Sequence, residues 1–399
     1  MINPSASGWI DKFFSRHKPD KEPVACDAER FYARVRATGF LYGHVVAFDT
    51  PKPVETKGLT EEERTKLGLL ITLFHMYGFT VGDSLRDDFV GKAMAFYREM
   101  LPQGSNLLKK VLPDNPESWE LEEVINQRVR TNKDIISRNF SNIVTNALLF
   151  EDVLAFRQYL LLGTLPHNYL KKLEETIGSI VTLALKAKAQ RSEYDELLVR
   201  MFDASVRYTK FSEVDIANLD TLDFSAFTSQ VELWYFFDMA VMAMWSDGVL
   251  EAEERDFLTR LADLLGIEPG FREESIRSAD AFVQNYKKEI PYFNYSNPVK
   301  HFYDQATQSV MLLISRNKNR LLKELGNNGE LVMLLTHSTH RSLDAREKKK
   351  VKKQLLEICK TVPSLAIFLL PGGSLLLPLL VKFIPQMLPS AFNENLEDE

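Results

Sequence analysis

Residues 231–245 read VELWYFFDMAVMAMW, and this stretch is apolar on almost every side of a helix. A helix that is apolar all round is buried rather than laid on a surface. The stretch therefore predicts a helix at the centre of a multi-helix bundle. Helical periodicity covers most of the remaining chain, with further helices expected over about 59–77, 83–101, 118–163, 167–190 and 193–209. We predict an all-α fold made of multi-helical bundles.

Two short segments near the N-terminus add detail to this fold. Residues 39–48, GFLYGHVVAF, are rich enough in β-favouring residues to predict a short hairpin or an extended arm. Residues 9–17 form a short amphipathic helix whose apolar face carries Trp9, Ile10, Phe13 and Phe14. That face either packs on the rest of the protein or contacts a membrane surface, and the sequence leaves both alternatives open.

Composition and motifs exclude several classes of function. The formal net charge of −6 argues against a DNA-binding protein, which needs clustered Lys and Arg to displace phosphate counterions. Cys26 and Cys359 lie far apart without ligand spacing, as expected in a reducing compartment. The sequence contains no Walker loop, GxGxxG, HExxH or GxSxG motif. We therefore expect neither an enzyme nor an organic cofactor.

The polar, turn-rich stretch at 211–227 is the best domain boundary in the middle of the chain, and we place the cut near residue 225. The predicted divisions are an N-terminal amphipathic helix and linker (1–58), a helical domain (59–225), a second helical domain (226–345), a basic flank with an apolar segment (346–392) and an acidic tail (393–399).

The second helical domain carries a candidate acidic site. An Asp-Gly turn follows the apolar helix, and acidic residues open the next helix, so that residues 238–267 resemble the TerB-like helical domain. The resemblance implies a compact bundle with carboxylates at Asp247, Glu251 and Glu254. These carboxylates either stabilise a helix N-terminus or bind a divalent cation such as calcium, which prefers oxygen ligands.

Residues 361–381 read TVPSLAIFLLPGGSLLLPLLV and carry no charge. As a helix rising 1.5 Å per residue, such a stretch spans about the 30 Å hydrocarbon core of a bilayer. Pro371, Pro378 and Pro385 recur every seven residues and favour a proline-kinked spanning helix, a re-entrant helical hairpin or a hairpin buried in the protein. The residues that characterise this membrane segment are Pro363, Pro371, Gly372, Gly373, Pro378, Lys382, Pro385 and Pro389.

A basic run precedes the apolar segment and consists of Arg346, Lys348, Lys349, Lys350, Lys352 and Lys353. By the positive-inside rule it predicts that the bulk of the chain is cytoplasmic. Near a surface, each such residue contributes about 1 kcal/mol of attraction to anionic lipid headgroups. The alternative is a solvated helix face without a partner.

Residues 365–392 resemble the LETM-family motif, with matches at Leu376, Leu377, Pro378, Lys382, Phe383, Ile384, Pro385, Met387, Leu388, Pro389, Ser390 and Phe392. Together with the N-terminal MINPSASGWIDKFF, they resemble the bacterial LETM-related, biofilm-associated group. The resemblance implies a protein of the bacterial inner membrane connected with cation homeostasis and ribosome contact. Because the apolar stretch contains no acidic residue, we do not expect ion transport by this chain alone.

The sequence thus favours a non-enzymatic, LETM-like membrane-associated protein, an accessory to cation homeostasis or a membrane scaffold, with membrane lipid as its partner. One alternative is a soluble cytoplasmic, TerB-like metal-responsive module with a buried C-terminal hairpin. Another is an adaptor that binds a ribosome, another protein or a second copy of the chain.

Overall fold

A computed structural model describes residues 2–17, 27–54, 58–82, 85–100, 116–136, 147–188, 218–244, 250–286, 288–289, 307, 310–311, 314–315, 317–341, 343–361, 365 and 377–384. Within these ranges the chain forms 14 α-helices and two 3-10 turns and no strand, which confirms the all-α prediction.

The helices are α1 (Trp9–Arg16), α2 (Ala28–Ala37), α3 (Glu61–Val81), α4 (Arg86–Met100), α5 (Glu117–Ile136), α6 (Phe150–Leu162), α7 (Tyr169–Ala187), α8 (Gln230–Met244), α9 (Ala252–Leu264), α10 (Pro269–Tyr286), α11 (Lys318–Gly326), α12 (Gly329–His340), α13 (Ala345–Thr361) and α14 (Leu377–Phe383). The 3-10 turns are Phe40–Tyr42 and Leu219–Thr221.

Helix α3 begins where the sequence predicts. The Glu63 N–H donates to Thr60 Oγ1 at 3.2 Å, and the Thr60 N–H donates to Glu63 Oε2 at 2.8 Å. This reciprocal pair satisfies two N–H groups that a helix start leaves without a helical acceptor. The helix then runs to Gly82, whose φ of 75° ends it in the left-handed region that favours glycine.

The hairpin predicted over residues 39–48 is wrong. The segment forms the 3-10 turn Phe40–Tyr42 and continues without regular secondary structure. Gly39 and Gly43 flank the turn with φ values of 77° and 75°, and a Cβ on Gly39 would collide with the His44 carbonyl. Phe40, Leu41, Tyr42 and Val45 are buried, and the Val45 side chain lies against Gly68 of α3 instead of against a partner strand.

Helix α1 packs on the protein, as the first of its two predicted alternatives requires. Trp9, Ile10, Phe13 and Phe14 are buried, and α1 contacts α5. The Gly8 and Ile10 N–H groups each donate to the Glu122 carboxylate of α5 at 2.8 Å. The N-terminal segment is therefore fixed to the bundle by both its apolar face and its helix start.

Helix α8 lies at the centre of the bundle, as its apolar sequence predicts. It packs on α2, α7, α9 and α10. Its one aspartate, Asp238, is fully buried and accepts hydrogen bonds from Arg36 of α2 through Nε (3.2 Å) and Nη2 (3.0 and 3.2 Å). Tyr32 donates to the same carboxylate at 2.9 Å, and Ser275 of α10 donates as well. Burial raises the pKa of Asp238, while Arg36 and Tyr32 oppose that rise by stabilising its charge.

A second buried pair of the same kind joins α4, α5 and α6. Arg128 donates to both oxygens of Asp152 at 2.7 and 2.8 Å, and Tyr97 donates at 3.1 Å. Glu151, the preceding residue of α6, is also buried. Burial first, and then the charges of Glu174 and Asp152, raise the pKa of Glu151 well above its ordinary range.

The helices after residue 317 pack mainly among themselves. Helix α12 contacts α11, α13 and α14. Helices α7 and α8, on either side of the proposed cut near residue 225, lie against each other. The division of the chain into domains stays a prediction.

Candidate functional site

The basic run lies in the first half of helix α13, whose start is capped by side chains. The Glu347 N–H donates to Asp344 Oδ1 at 2.8 Å, and the Asp344 N–H donates to Glu347 Oε2 at 2.9 Å. Arg341 donates two further hydrogen bonds, of 2.6 and 2.7 Å, to the Glu347 carboxylate. The Arg341 bond and the Asp344 N–H lower the pKa of Glu347 to about 2. The direction of α13 is therefore set at its first turn.

One face of α13 is apolar and buried. Val351, Leu355, Ile358 and Cys359 are buried. Their spacing of four, three and one residues places them on one side of a helix, and α13 packs on α12. The opposite side of the helix is therefore turned toward solvent.

Arg346, Lys349 and Lys353 lie on that opposite side and are exposed. At 100° per residue they fall within about 60° of one another and extend over about 10 Å of the helix axis. None of the three has an ion-pair partner within the part of the chain that the structure describes. They form a row of cations that we call the basic face.

The other members of the basic run have different surroundings. Lys350 is paired with Glu330 of α12, and Gln354 donates to the same carboxylate at 3.1 Å. Lys348 and Lys352 are half-buried at the edge of the apolar face. Burial lowers the pKa of Lys352 to about 8, and the positive charge of Lys171 on α7 contributes in the same direction. The structure thus divides a continuous basic run into exposed, paired and half-buried cations.

The structure describes only part of the predicted membrane segment. Pro378 lies at the second position of α14, where a missing N–H costs no helical hydrogen bond. Lys382 lies over the Phe383 ring at 5.3 Å from its centroid. Leu365, Leu379, Leu380, Val381 and Ile384 are buried. Pro363, Pro371, Gly372, Gly373, Pro385 and Pro389 lie outside the described residues.

No helix within the described ranges combines the length and the apolar character that crossing a bilayer requires. Because residues 362–364 and 366–376 lie outside those ranges, the membrane segment and its kinked or hairpin form stay predictions.

Of the candidate acidic site, Glu251 and Glu254 are described and Asp247 is not. Glu254 Oε2 accepts the Glu251 N–H at 3.0 Å, the bond that a carboxylate makes at a helix start. Among the described residues no group of three or more His, Cys, Asp or Glu side chains could hold a metal ion. The divalent-cation site stays a prediction.

The sequence reasoning missed both buried arginine–aspartate pairs. Asp238 carried a usable signal, because a single aspartate inside an apolar helix requires a buried donor. Asp152 carried a weaker one, since it follows another acid in a helix with exposed and buried sides. Neither signal identifies the arginine that serves as the donor.

Comparison with known proteins concerns the C-terminal region alone. The family model described as "LETM1-like, RBD" matches residues 343–399, a range that begins two residues before α13. This match supports the LETM-like resemblance of the C-terminal region. No curated protein and no solved structure matches the chain.

Proposed function

We propose that the chain is a non-enzymatic, LETM-like protein that attaches to the bacterial inner membrane, and that α13 places its basic face on anionic lipid headgroups. In this proposal the bulk of the chain is cytoplasmic. The proposed role is that of an accessory to cation homeostasis or a membrane scaffold, and the LETM-like match of residues 343–399 supports it only at the level of the family resemblance.

The observation that carries the proposal is the basic face itself. Arg346, Lys349 and Lys353 are exposed, point the same way and are not neutralised by a described carboxylate. The capped start of α13 and its buried opposite side keep this orientation fixed. Because the helix is already ordered, binding does not have to order its backbone, so the row is suited to a surface of negative charge.

The position of this face along the sequence supports lipid as the partner. The uncharged stretch 361–381 begins at the last residue of α13. A basic segment directly before an apolar one is the arrangement that anchors proteins at the cytoplasmic side of a bilayer. An anionic bilayer would bind the basic face through its headgroups and the uncharged stretch through its hydrocarbon core.

Sedimentation of the full-length protein with lipid vesicles tests the proposal. We expect binding to mixed phosphatidylcholine–phosphatidylglycerol vesicles to exceed binding to phosphatidylcholine alone, and to weaken as salt rises. The variant R346E/K349E/K353E is expected to lower affinity for the anionic vesicles by on the order of a hundredfold, from about 1 kcal/mol per residue.

A matched variant, R30E/K92E/R277E, makes the same change of charge at exposed positions of α2, α4 and α10. It is expected to retain most of the binding. Equal losses in the two variants would refute a role of the basic face, as would equal binding to both kinds of vesicle. If purified ribosomes displace the vesicles, and the α13 variant loses ribosomes as well, the adaptor function replaces the lipid-binding one.

A further inference from the structure

The C-terminal end of the predicted membrane segment is covered by the protein itself. Helix α14 contains the end of the uncharged stretch 361–381. Leu379, Leu380 and Val381 belong to both the helix and the stretch, and all three side chains are buried. Residues that the sequence assigns to the hydrocarbon core of a bilayer thus already have an apolar environment within the fold.

Helix α12 packs against α14 and provides part of this environment. The contact is suited to apolar side chains, since the buried residues of α12 include Leu331, Val332, Leu334 and Leu335. Lys382 is the one charged residue in the sequence of α14, and it is exposed. Helix α14 therefore lies with its apolar side chains inward and its charge toward solvent.

The two parts of the chain that would meet a bilayer are presented in different ways. The basic face of α13 is exposed, whereas the apolar residues of α14 are covered. Helix α12 contacts both helices, so it holds α14 while α13 turns its cations outward. A negatively charged surface can therefore reach the basic face before it reaches the apolar residues of α14.

We infer that α12 is an intramolecular docking site for the end of the membrane segment, and that α14 leaves α12 when this segment enters a bilayer. Contact with α12 and contact with hydrocarbon both remove the apolar side chains of α14 from water. The same side chains cannot make both contacts at once, so α12 and the bilayer compete for them. The release of α14 rests on the proposed function, whereas its docking stands without it.

Hydrogen–deuterium exchange on the full-length protein, without lipid, tests the docking. Ile384 is 1% exposed and follows the uncharged stretch, so I384S weakens the docked form without altering residues 361–381. We expect exchange in peptides of α12 and α14 to become faster by on the order of tenfold. M333S makes a similar change at a position of α12 that is 39% exposed, and it should leave these rates unchanged. Peptides of α8 report whether the rest of the fold persists.

The same measurement with mixed phosphatidylcholine–phosphatidylglycerol vesicles tests the release. In wild-type protein, exchange in α12 peptides should become faster, because α14 no longer covers them. Exchange in α14 peptides should stay slow, since the hydrocarbon core excludes water from their backbone. I384S should bind these vesicles severalfold more tightly than M333S, because a larger fraction of the protein has α14 free to insert.

Equal exchange in I384S and M333S without lipid would overturn the docking of α14. Protection of α12 that persists on the vesicles would overturn its release, as would weaker vesicle binding by I384S than by wild-type protein. If I384S also exchanges faster in α8, the wild-type protein with vesicles decides the inference. If wild-type protein does not prefer anionic vesicles, the proposed function fails, while the exchange without lipid still decides the docking.

Discussion

The two buried arginine–aspartate–tyrosine clusters use the same residue types in different surroundings. Around Asp238, Arg36, Tyr32 and Ser275 all donate, and the neighbouring Glu274 is half exposed at 3.9 Å from Arg36. We call these residues the Asp238 cluster. In the Asp152 cluster, made of Asp152, Arg128, Tyr97 and Glu151, the neighbouring acid is buried.

The difference lies in the balance of donors and charges. The Arg36 guanidinium is covered by the Tyr32 and Phe271 rings at 5.1 and 4.8 Å, and Trp234 stacks on Phe271. In the Asp152 cluster, Arg128 Nη1 and Glu151 Oε2 have no hydrogen-bond partner within the described part of the chain. Both hydrogen bonds of Arg128 go to Asp152, so the buried Glu151 carboxyl group beside it receives none from this guanidinium. The stability of a buried cluster therefore depends on whether each of its polar groups has a partner. The residue types alone do not reveal this.

The largest expected effect is the loss of Arg128. In R128M, Asp152 keeps only Tyr97 as a donor among the contacts of its cluster, and it remains beside buried Glu151. Removing one partner of a buried ion pair costs about 3–5 kcal/mol. Urea unfolding should show a loss in this range. A loss smaller than that of the corresponding change in the Asp238 cluster would contradict the proposed difference.

Loss of Arg36 should cost less. In R36M, Tyr32 and Ser275 still donate to Asp238, and methionine can fill part of the space between Tyr32 and Phe271. We expect a loss of about 2–3 kcal/mol in the same urea experiment. Equal losses of stability in R36M and R128M would mean that the additional donor, Ser275, does not stabilise the buried Asp238 carboxylate.

Local patterns explain what the sequence could predict. The burial of most of α8 follows from its apolar character, and the start of α3 follows from Thr60 and Glu63. The orientation of α1 follows from its spaced aromatic residues. Each of these features depends on residues within a few turns of one another, so periodicity and capping rules suffice.

Pairings between distant helices could not be predicted in this way. Asp238 required a buried donor, yet the chain contains 49 Lys and Arg residues, and its partner Arg36 lies 202 positions away. The same holds for α13. Its helical period assigns Arg346, Lys349 and Lys353 to one side, whereas the pairing of Lys350 with Glu330 of α12 depends on how the helices assemble.

Glu151, the buried acid of the Asp152 cluster, gives a prediction in which a substitution stabilises the protein instead of destabilising it. The pKa of Glu151 is raised in the folded state, so folding favours its protonated form. Wild-type stability should therefore fall as pH rises above the unfolded value of about 4.3 and toward the raised folded value. E151Q removes this fall and should add about 1–2 kcal/mol to the free energy of unfolding at pH 8.

Thermal unfolding of E151Q at pH 5 and pH 8 measures this effect, and E274Q serves as the control from the Asp238 cluster. Glu274 is half exposed, so its replacement should change stability little at either pH. A destabilised E151Q at pH 8 would show that the Glu151 charge is compensated after all.

The smallest effect concerns Ser275, the donor that the Asp152 cluster lacks. With Arg36 and Tyr32 in place, S275A should cost about 0.5–1 kcal/mol, the net value of one hydrogen bond. In the R36M background, Ser275 becomes one of two donors left to a buried carboxylate, so S275A should cost more, about 1–2 kcal/mol. A double-mutant cycle of these variants in urea measures the coupling. Strictly additive losses would show that Ser275 does not substitute for Arg36, because a shared buried charge makes the loss of each donor depend on the other.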